Sequence, residues 1–249
     1  MDFKVKGHSK YTLTLHNDLV IKSSSENDDR LVVSATKQKL FKSNFFKTPK
    51  VTDISNSSFS MEYINGESFS QFFTRATKRD LDNLIYKIDG YLQERIIGEI
   101  EISTEILKDK ILSIPNGNEF VSILDNKKTV KVKVGIAHGD MTLSNMIFAE
   151  DIYLIDFLDS YIESPTMDII KLRQDTHLYW SLNMVDKVID LTKIKLGLQY
   201  IDNWLVNNYP IENYEIFQII NLLRIYPYTN DDKIKLYLDK NINKLCELL

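Results

Sequence analysis

Three oxygen-bearing side chains, Asp140, Asn145 and Asp156, fall within one short stretch, GIAHGDMTLSNMIFAEDIYLID, which runs from Gly135 to Asp156. Asn145 enters the apolar run Met146-Ile147-Phe148, the polar turn Ala149-Glu150-Asp151 reverses the chain, and Asp156 leaves the returning run Ile152-Tyr153-Leu154-Ile155. This pattern predicts a hairpin with Asn145 and Asp156 facing each other at its open end. Opposed positions in an antiparallel pair lie about 5 Å apart at Cβ, so a carboxamide oxygen and a carboxylate there could share one hard divalent cation. Asp140 stands just before the hairpin, beside the metal position, where a carboxylate can take the proton of an attacking hydroxyl.

These groups need a scaffold, and the chain supplies strands first and helices later. Tyr11, Leu13 and Leu15 alternate with Thr12 and Thr14, His16-Asn17-Asp18 turns the chain, and Leu19-Val20-Ile21-Lys22 returns, which predicts a hairpin ending in a lysine. A polar link, 23–29, leads into a helix expected to run to about Lys42, with Leu31, Ala35, Leu40 and Phe41 turned inward. Extended pieces at 50–54 and 59–64 finish at Asn65-Gly66, a strong turn signal. Beyond that turn the period changes. Leu81, Leu84, Ile85, Ile88, Leu92 and Ile96 recur at helical spacing, with Asp80 near the start and Gly98 placed to close the end. Helical patterns also cover roughly 166–208 and 213–249. The change of period makes Asn65-Gly66 the expected boundary between an N-terminal lobe, 1–66, and a helical C-terminal lobe, 67–249, with a ligand cleft between them.

Composition excludes several classes. A formal net charge of −4 gives no electrostatic footprint for nucleic acid. No apolar run is long enough to insert into a membrane, and the charged first ten residues lack a signal-peptide core, so a cytoplasmic location is expected. The single cysteine, Cys246, can form no internal disulfide. His8, His16 and His177 have no spacing with acids or Cys246 that suits zinc. Oligomeric state is not encoded in any pattern here.

His138-Gly139-Asp140 followed by Asn145, then Ile155-Asp156-Phe157, then Ser164-Pro165 with Asp168, resembles the aminoglycoside phosphotransferase and choline kinase branch of the protein-kinase-like superfamily in both order and spacing. The resemblance implies an α+β, two-lobed fold: a small N-terminal antiparallel sheet lobe with one helix, and a larger, mostly helical C-terminal lobe. It implies a small-molecule kinase that uses ATP (or GTP) and Mg²⁺ to phosphorylate a hydroxyl of a sugar, choline-like amino alcohol or aminoglycoside-like acceptor. By the same resemblance Asp140 is the catalytic aspartate, Asn145 and Asp156 are the Mg²⁺ ligands, and Lys22 contacts the α- and β-phosphates. Gly7-His8-Ser9 stands in the place of the phosphate-covering loop, Glu62-Tyr63-Ile64 in that of the adenine-binding linker, and Asp168 in that of the buried aspartate bracing the catalytic loop.

One departure bears on activity. The helix after Lys22 usually supplies a glutamate to the lysine, yet 27–42 contains none, leaving Gln38 as a hydrogen-bonding substitute and Glu26 just before the helix. That departure, with the single glycine of the Gly7 loop, keeps open an alternative: a nucleotide-binding pseudokinase with a regulatory or scaffolding role. A protein kinase acting on Ser or Thr is disfavoured because only six residues separate Phe157 from Ser164, too few for an activation segment. Asp159, Glu163 and Asp175 form an acidic neighbourhood that would suit a cationic acceptor, although exposed acids are commonly just solvated.

Overall fold

The computed structural model describes residues 4–6, 11–185 and 190–249. Strands β1 (Lys4–Lys6), β2 (Thr12–His16), β3 (Leu19–Ser23), β4 (Val51–Ile54) and β5 (Ser58–Glu62) form one antiparallel sheet in the order β1-β2-β3-β5-β4. The β2–β3 turn has Asn17 at φ 46° and Asp18 at φ 60°, the left-handed pair that a tight two-residue hairpin demands and that Asn and Asp tolerate. Helix α1 (Asp29–Leu40) starts where the Asp28 carboxylate accepts the Arg30 N–H. It lays Leu31 and Ala35 on Val51, Phe59 and Met61, and these five buried residues are the core of this part.

From Gly66 the chain is mostly helical. A Cβ on Gly66 would lie 2.6 Å from Ile147 Cγ2 and 2.9 Å from Phe148 O, so the backbone here approaches the 146–154 hairpin more closely than a side chain allows. Helices α2 (Phe69–Arg75) and α3 (Lys78–Arg95) follow, each opened by a reciprocal cap, Ser68 with Gln71 and Thr77 with Asp80. Gly98 does not close α3. It opens β6 (Gly98–Ser103), because Ile96 already ends the helix and β6 pairs in register with β7 (Thr129–Val134) around α4 (Glu105–Leu112).

The predicted hairpin is β8 (Met146–Phe148) and β9 (Ile152–Leu154), joined at Ala149–Asp151. Short bridges at Glu67 and Lys47 extend it on both sides: Glu67 and Phe148 exchange hydrogen bonds of 2.7 and 2.9 Å, and Lys47 pairs beside Tyr153. The remaining helices are α5 (Pro165–Thr176), α6 (Leu191–Asn208), α7 (Tyr214–Leu223) and α8 (Asp232–Cys246). The large core wraps α3, the hairpin and α5, with Ile88, Tyr91, Met141, Leu154, Phe157 and Ile169 almost fully enclosed. No helix among the described residues is long and apolar enough to cross a membrane.

Candidate active site

The loop that carries Asp140 is fixed by one buried carboxylate. Asp168, in the first turn of α5, accepts the His138 N–H at 2.7 Å, the Gly139 N–H at 2.8 Å and the Tyr91 hydroxyl at 2.7 Å. Burial pushes its carboxyl up to about 6, against the pull of those three donors. Gly139 sits at φ 91°, and a Cβ there would fall 1.9 Å from Leu158 O, so only glycine lets the loop lie against the segment after Asp156. The loop and that segment are joined again by Leu158 N to His138 O at 3.1 Å.

His138 is a brace with a defined tautomer. The Asp140 N–H donates to its Nδ1 at 3.2 Å, so the ring proton lies on Nε2, which is 2.9 Å from Ile155 O. Complete burial holds its pKa down at about 4, so the ring is neutral at physiological pH.

Asp140 itself is held from two sides. Lys171 Nζ lies 3.1 Å from Oδ1, and Asn145 Nδ2 donates to Oδ2 at 3.0 Å and to the Asp140 carbonyl at 2.8 Å. Burial alone would raise this carboxyl, but Lys171, helped by His138 and Asn145, outweighs it and holds the group below the usual carboxylate range. Asn145 lies opposite Ile155, joined by Ile155 N to Asn145 O at 3.0 Å, since the register pairs Met146 with Leu154. Asp156 comes one residue later, in left-handed backbone at φ 62°, rather than directly across from Asn145. It accepts Lys22 Nζ at 2.9 Å, a salt bridge that joins β3 of the sheet to the segment after the hairpin. Lys22 is buried on β3, between Leu13 and Phe59, with its ammonium 4.9 Å from the Tyr11 ring centroid.

Of the predicted residues, the structure thus brings Asp140 with Asn145, and Lys22 with Asp156, around the hairpin's open end. Ser9, with Gly7 and His8, lies outside the described residues. In the linker, the Glu62 N–H donates to Lys50 O at 3.0 Å and the Tyr63 N–H to Asp18 O at 2.9 Å. Ile64 has no such internal acceptor among the described residues.

Gln38 is not the expected substitute partner of Lys22. It is buried, with Nε2 donating to Pro49 O at 3.1 Å, toward the β4 side of the sheet. Nor does the acidic neighbourhood survive as a free cluster. Asp175 is buried and accepts the backbone N–H groups of Leu143 and Ser181, while Glu163 accepts Lys37 Nζ at 2.9 Å and the Ala137 N–H at 2.8 Å. Sequence reasoning did not single out Lys171, Lys37 or Tyr91. For Lys171 a signal existed: Asp168, Lys171 and Asp175 are spaced by three and four, which puts them on one helical face.

An antiparallel sheet with one helix, a linker, a braced HGD loop, a hairpin and a helical remainder constitute the protein-kinase-like fold of aminoglycoside phosphotransferases. Among solved structures, the chain is similar to the streptomycin–ATP ternary complex of APH(2")-IIa, with 18% identity and a TM-score of 0.58 over 99% of this chain and 91% of that one. It is similar to the GDP complex of aminoglycoside 2'-phosphotransferase-IIIa at 13% identity and TM-score 0.60, covering 100% and 93% of the two chains. The ADP-bound aminoglycoside phosphotransferase APH(2'')-Ib gives 20% identity and 0.51 over 99% and 92%. No curated protein matches the chain. The sequence profile of the ecdysteroid kinase-like family matches residues 42–173, just over half of the 249, and the chain belongs to that family.

Proposed function

We propose that the protein is a small-molecule kinase that transfers the γ-phosphoryl group of a nucleoside triphosphate to an alcohol. The observation that supports this best is the pair of clamps at one site: Asp140 held by Lys171 and Asn145, and Asp156 held by Lys22 from the opposite sheet. In the proposed reaction the acceptor hydroxyl oxygen attacks the γ-phosphorus, and the bond from that phosphorus to the β–γ bridging oxygen breaks. The hydroxyl proton passes to Asp140, and the nucleoside diphosphate departs. Lys22 would meet the α- and β-phosphates, and the Ile64 N–H is the linker donor left for a purine ring. ATP and GDP in the neighbouring complexes support a purine nucleotide.

The residues suit Mg²⁺. Asn145 spends its Nδ2 on Asp140, which leaves its carboxamide oxygen, and Asp156 engages Lys22 through one carboxylate oxygen only. No group of three His, Cys, Asp or Glu among the described residues could hold a metal alone. Two hard oxygen donors are what a Mg²⁺ completed by phosphates and water requires. When bound, the ion supplies charge neutralisation on the phosphates.

Residues 1–66 would form the nucleotide lobe and 67–249 the catalytic and acceptor lobe. Because Glu163 and Asp175 are spent on internal partners, a metabolic alcohol of low charge is favoured over a polycationic antibiotic. The test is nucleotide consumption against panels of sugars, amino alcohols and aminoglycosides, with Asp140→Ala as control. Loss of about a thousandfold or more in kcat is expected, and an Asp140→Ala protein that matched its parent would refute the assignment. One observation favours a second reading, a nucleotide-binding pseudokinase: α1 offers Lys22 no acidic partner among the described residues. Tight nucleotide binding without turnover on any acceptor would support it.

A further inference from the structure

Helix α5 is enclosed on every side. Of its residues, Pro165 through Thr176, Lys171 alone is not fully buried, and its side chain keeps only 12% of its exposure. A lysine in such a place needs a reason, because withdrawing an ammonium from water is costly unless a counter-charge meets it. The counter-charge is Asp140 Oδ1, at 3.1 Å. Two other carboxylates of the helix have partners elsewhere: Asp168 holds the His138 and Gly139 amides, and Asp175 holds those of Leu143 and Ser181. The His138 and Gly139 amides precede Asp140 on the loop and the Leu143 amide follows it, so one helix grips the loop before Asp140, at its side chain, and after it.

We propose that Lys171 is a positioning residue for phosphoryl transfer: its ammonium, opposite the Asn145 amide, fixes the Asp140 carboxylate in the orientation that receives the acceptor hydroxyl. The proposal rests on the phosphotransferase reading above. Geometry supports the division of labour. Asn145 restrains Oδ2 and Lys171 restrains Oδ1, so removing either leaves the carboxylate free to rotate about its remaining contact. Small losses of alignment at a reacting group cost rate out of proportion to their size, whereas binding of the nucleotide at Lys22 and Asp156 should be little affected.

The decisive experiment is a double-mutant cycle on the full chain, reading Mg-dependent nucleotide turnover with the best acceptor from the panel, or with water as acceptor. Lys171→Met is expected to lower kcat by about ten- to a hundredfold with the nucleotide KM within about twofold, and Lys171→Arg to recover most of the loss. In an Asp140→Asn background the same Lys171→Met change should cost less than about twofold, since it acts through a carboxylate no longer there. That double variant also removes the half-buried carboxylate left without its ammonium, so it remains foldable if Lys171→Met alone is not. Additive losses, an unchanged kcat in Lys171→Met, or a raised nucleotide KM in place of a lowered kcat would overturn the proposal. A parent protein that turned over no nucleotide would remove the phosphotransfer reading and this proposal with it, whereas an active parent with an indifferent Lys171→Met removes the proposal alone.

Discussion

The two walls of the site are built to different standards. On the helical side, three residues of a single buried helix, Asp168, Lys171 and Asp175, meet the loop that carries Asp140, and the surrounding core extends over α3, the hairpin and α6. On the sheet side, α1 rests on a core of five buried residues, and Lys22 takes its carboxylate partner from Asp156 across the site rather than from its own helix. The loop proposed to meet the transferring group is over-determined, and the lysine proposed to meet the phosphates depends on the opposite wall for its place. Alignment of the reacting groups tolerates little motion, whereas a wall that must admit and release nucleotide can be held more loosely.

The sharpest way to break this contrast is to remove the helical grip. Asp168→Ala leaves the His138 and Gly139 amides and the Tyr91 hydroxyl, all buried, without their acceptor. A loss of about 3–5 kcal/mol in unfolding free energy is expected, measured by denaturant titration. A loss below about 1 kcal/mol would mean that water reaches these groups and that the loop is not held as described.

A smaller effect should follow pH. His138 is buried neutral with its pKa depressed to about 4, against about 6.5 in the unfolded chain. Between those values the unfolded state binds the extra proton. The contribution is therefore fully present above about 6.5 and lost as pH falls through 4, amounting to about 3 kcal/mol over that interval. Asp168 and Asp175, both raised to about 6 by burial, act in the opposite sense over part of that window. The informative measurement is therefore the difference between the parent and His138→Gln. The parent should lose stability relative to the variant on acidification from pH 7 to 4.5, and parallel curves would remove His138 from the account.

Much of this arrangement was legible in the sequence where local pattern and physics agree. The β2–β3 hairpin with Lys22, the β8–β9 hairpin and α3 follow from alternation, turn residues and helical periodicity, and Asp168 was anticipated as a brace by resemblance. What escaped depends on tertiary geometry. Gln38 has the right chemistry to face Lys22, but its helix turns it toward Pro49. Asp156 departs from strand alternation because its backbone turns left-handed, which Asp tolerates and no period announces. Asp175 reads as a surface acid beside charged neighbours, whereas the fold encloses α5 on all sides. Lys171 was hidden for the same reason: a lysine among buried positions looks like the solvated edge of a helix until the loop packed against it is known.

The weakest effect tests the looser wall directly. Lys37, in the last turn of α1, reaches across to Glu163 at 2.9 Å and to Leu158 O at 3.0 Å, and Glu163 also accepts the Ala137 N–H. This pair ties the helix of the sheet side to the start of the loop that carries Asp140. The Glu163 side chain is 44% exposed, so the pair is screened and contributes only about 0.5–1 kcal/mol. Lys37→Met should accordingly lower global stability by no more than that, yet speed amide hydrogen exchange in α1 about three- to fivefold while leaving α5 unchanged. Equal acceleration in both helices would show that the two walls open as one unit, and the difference in how they are held would then have no dynamic consequence.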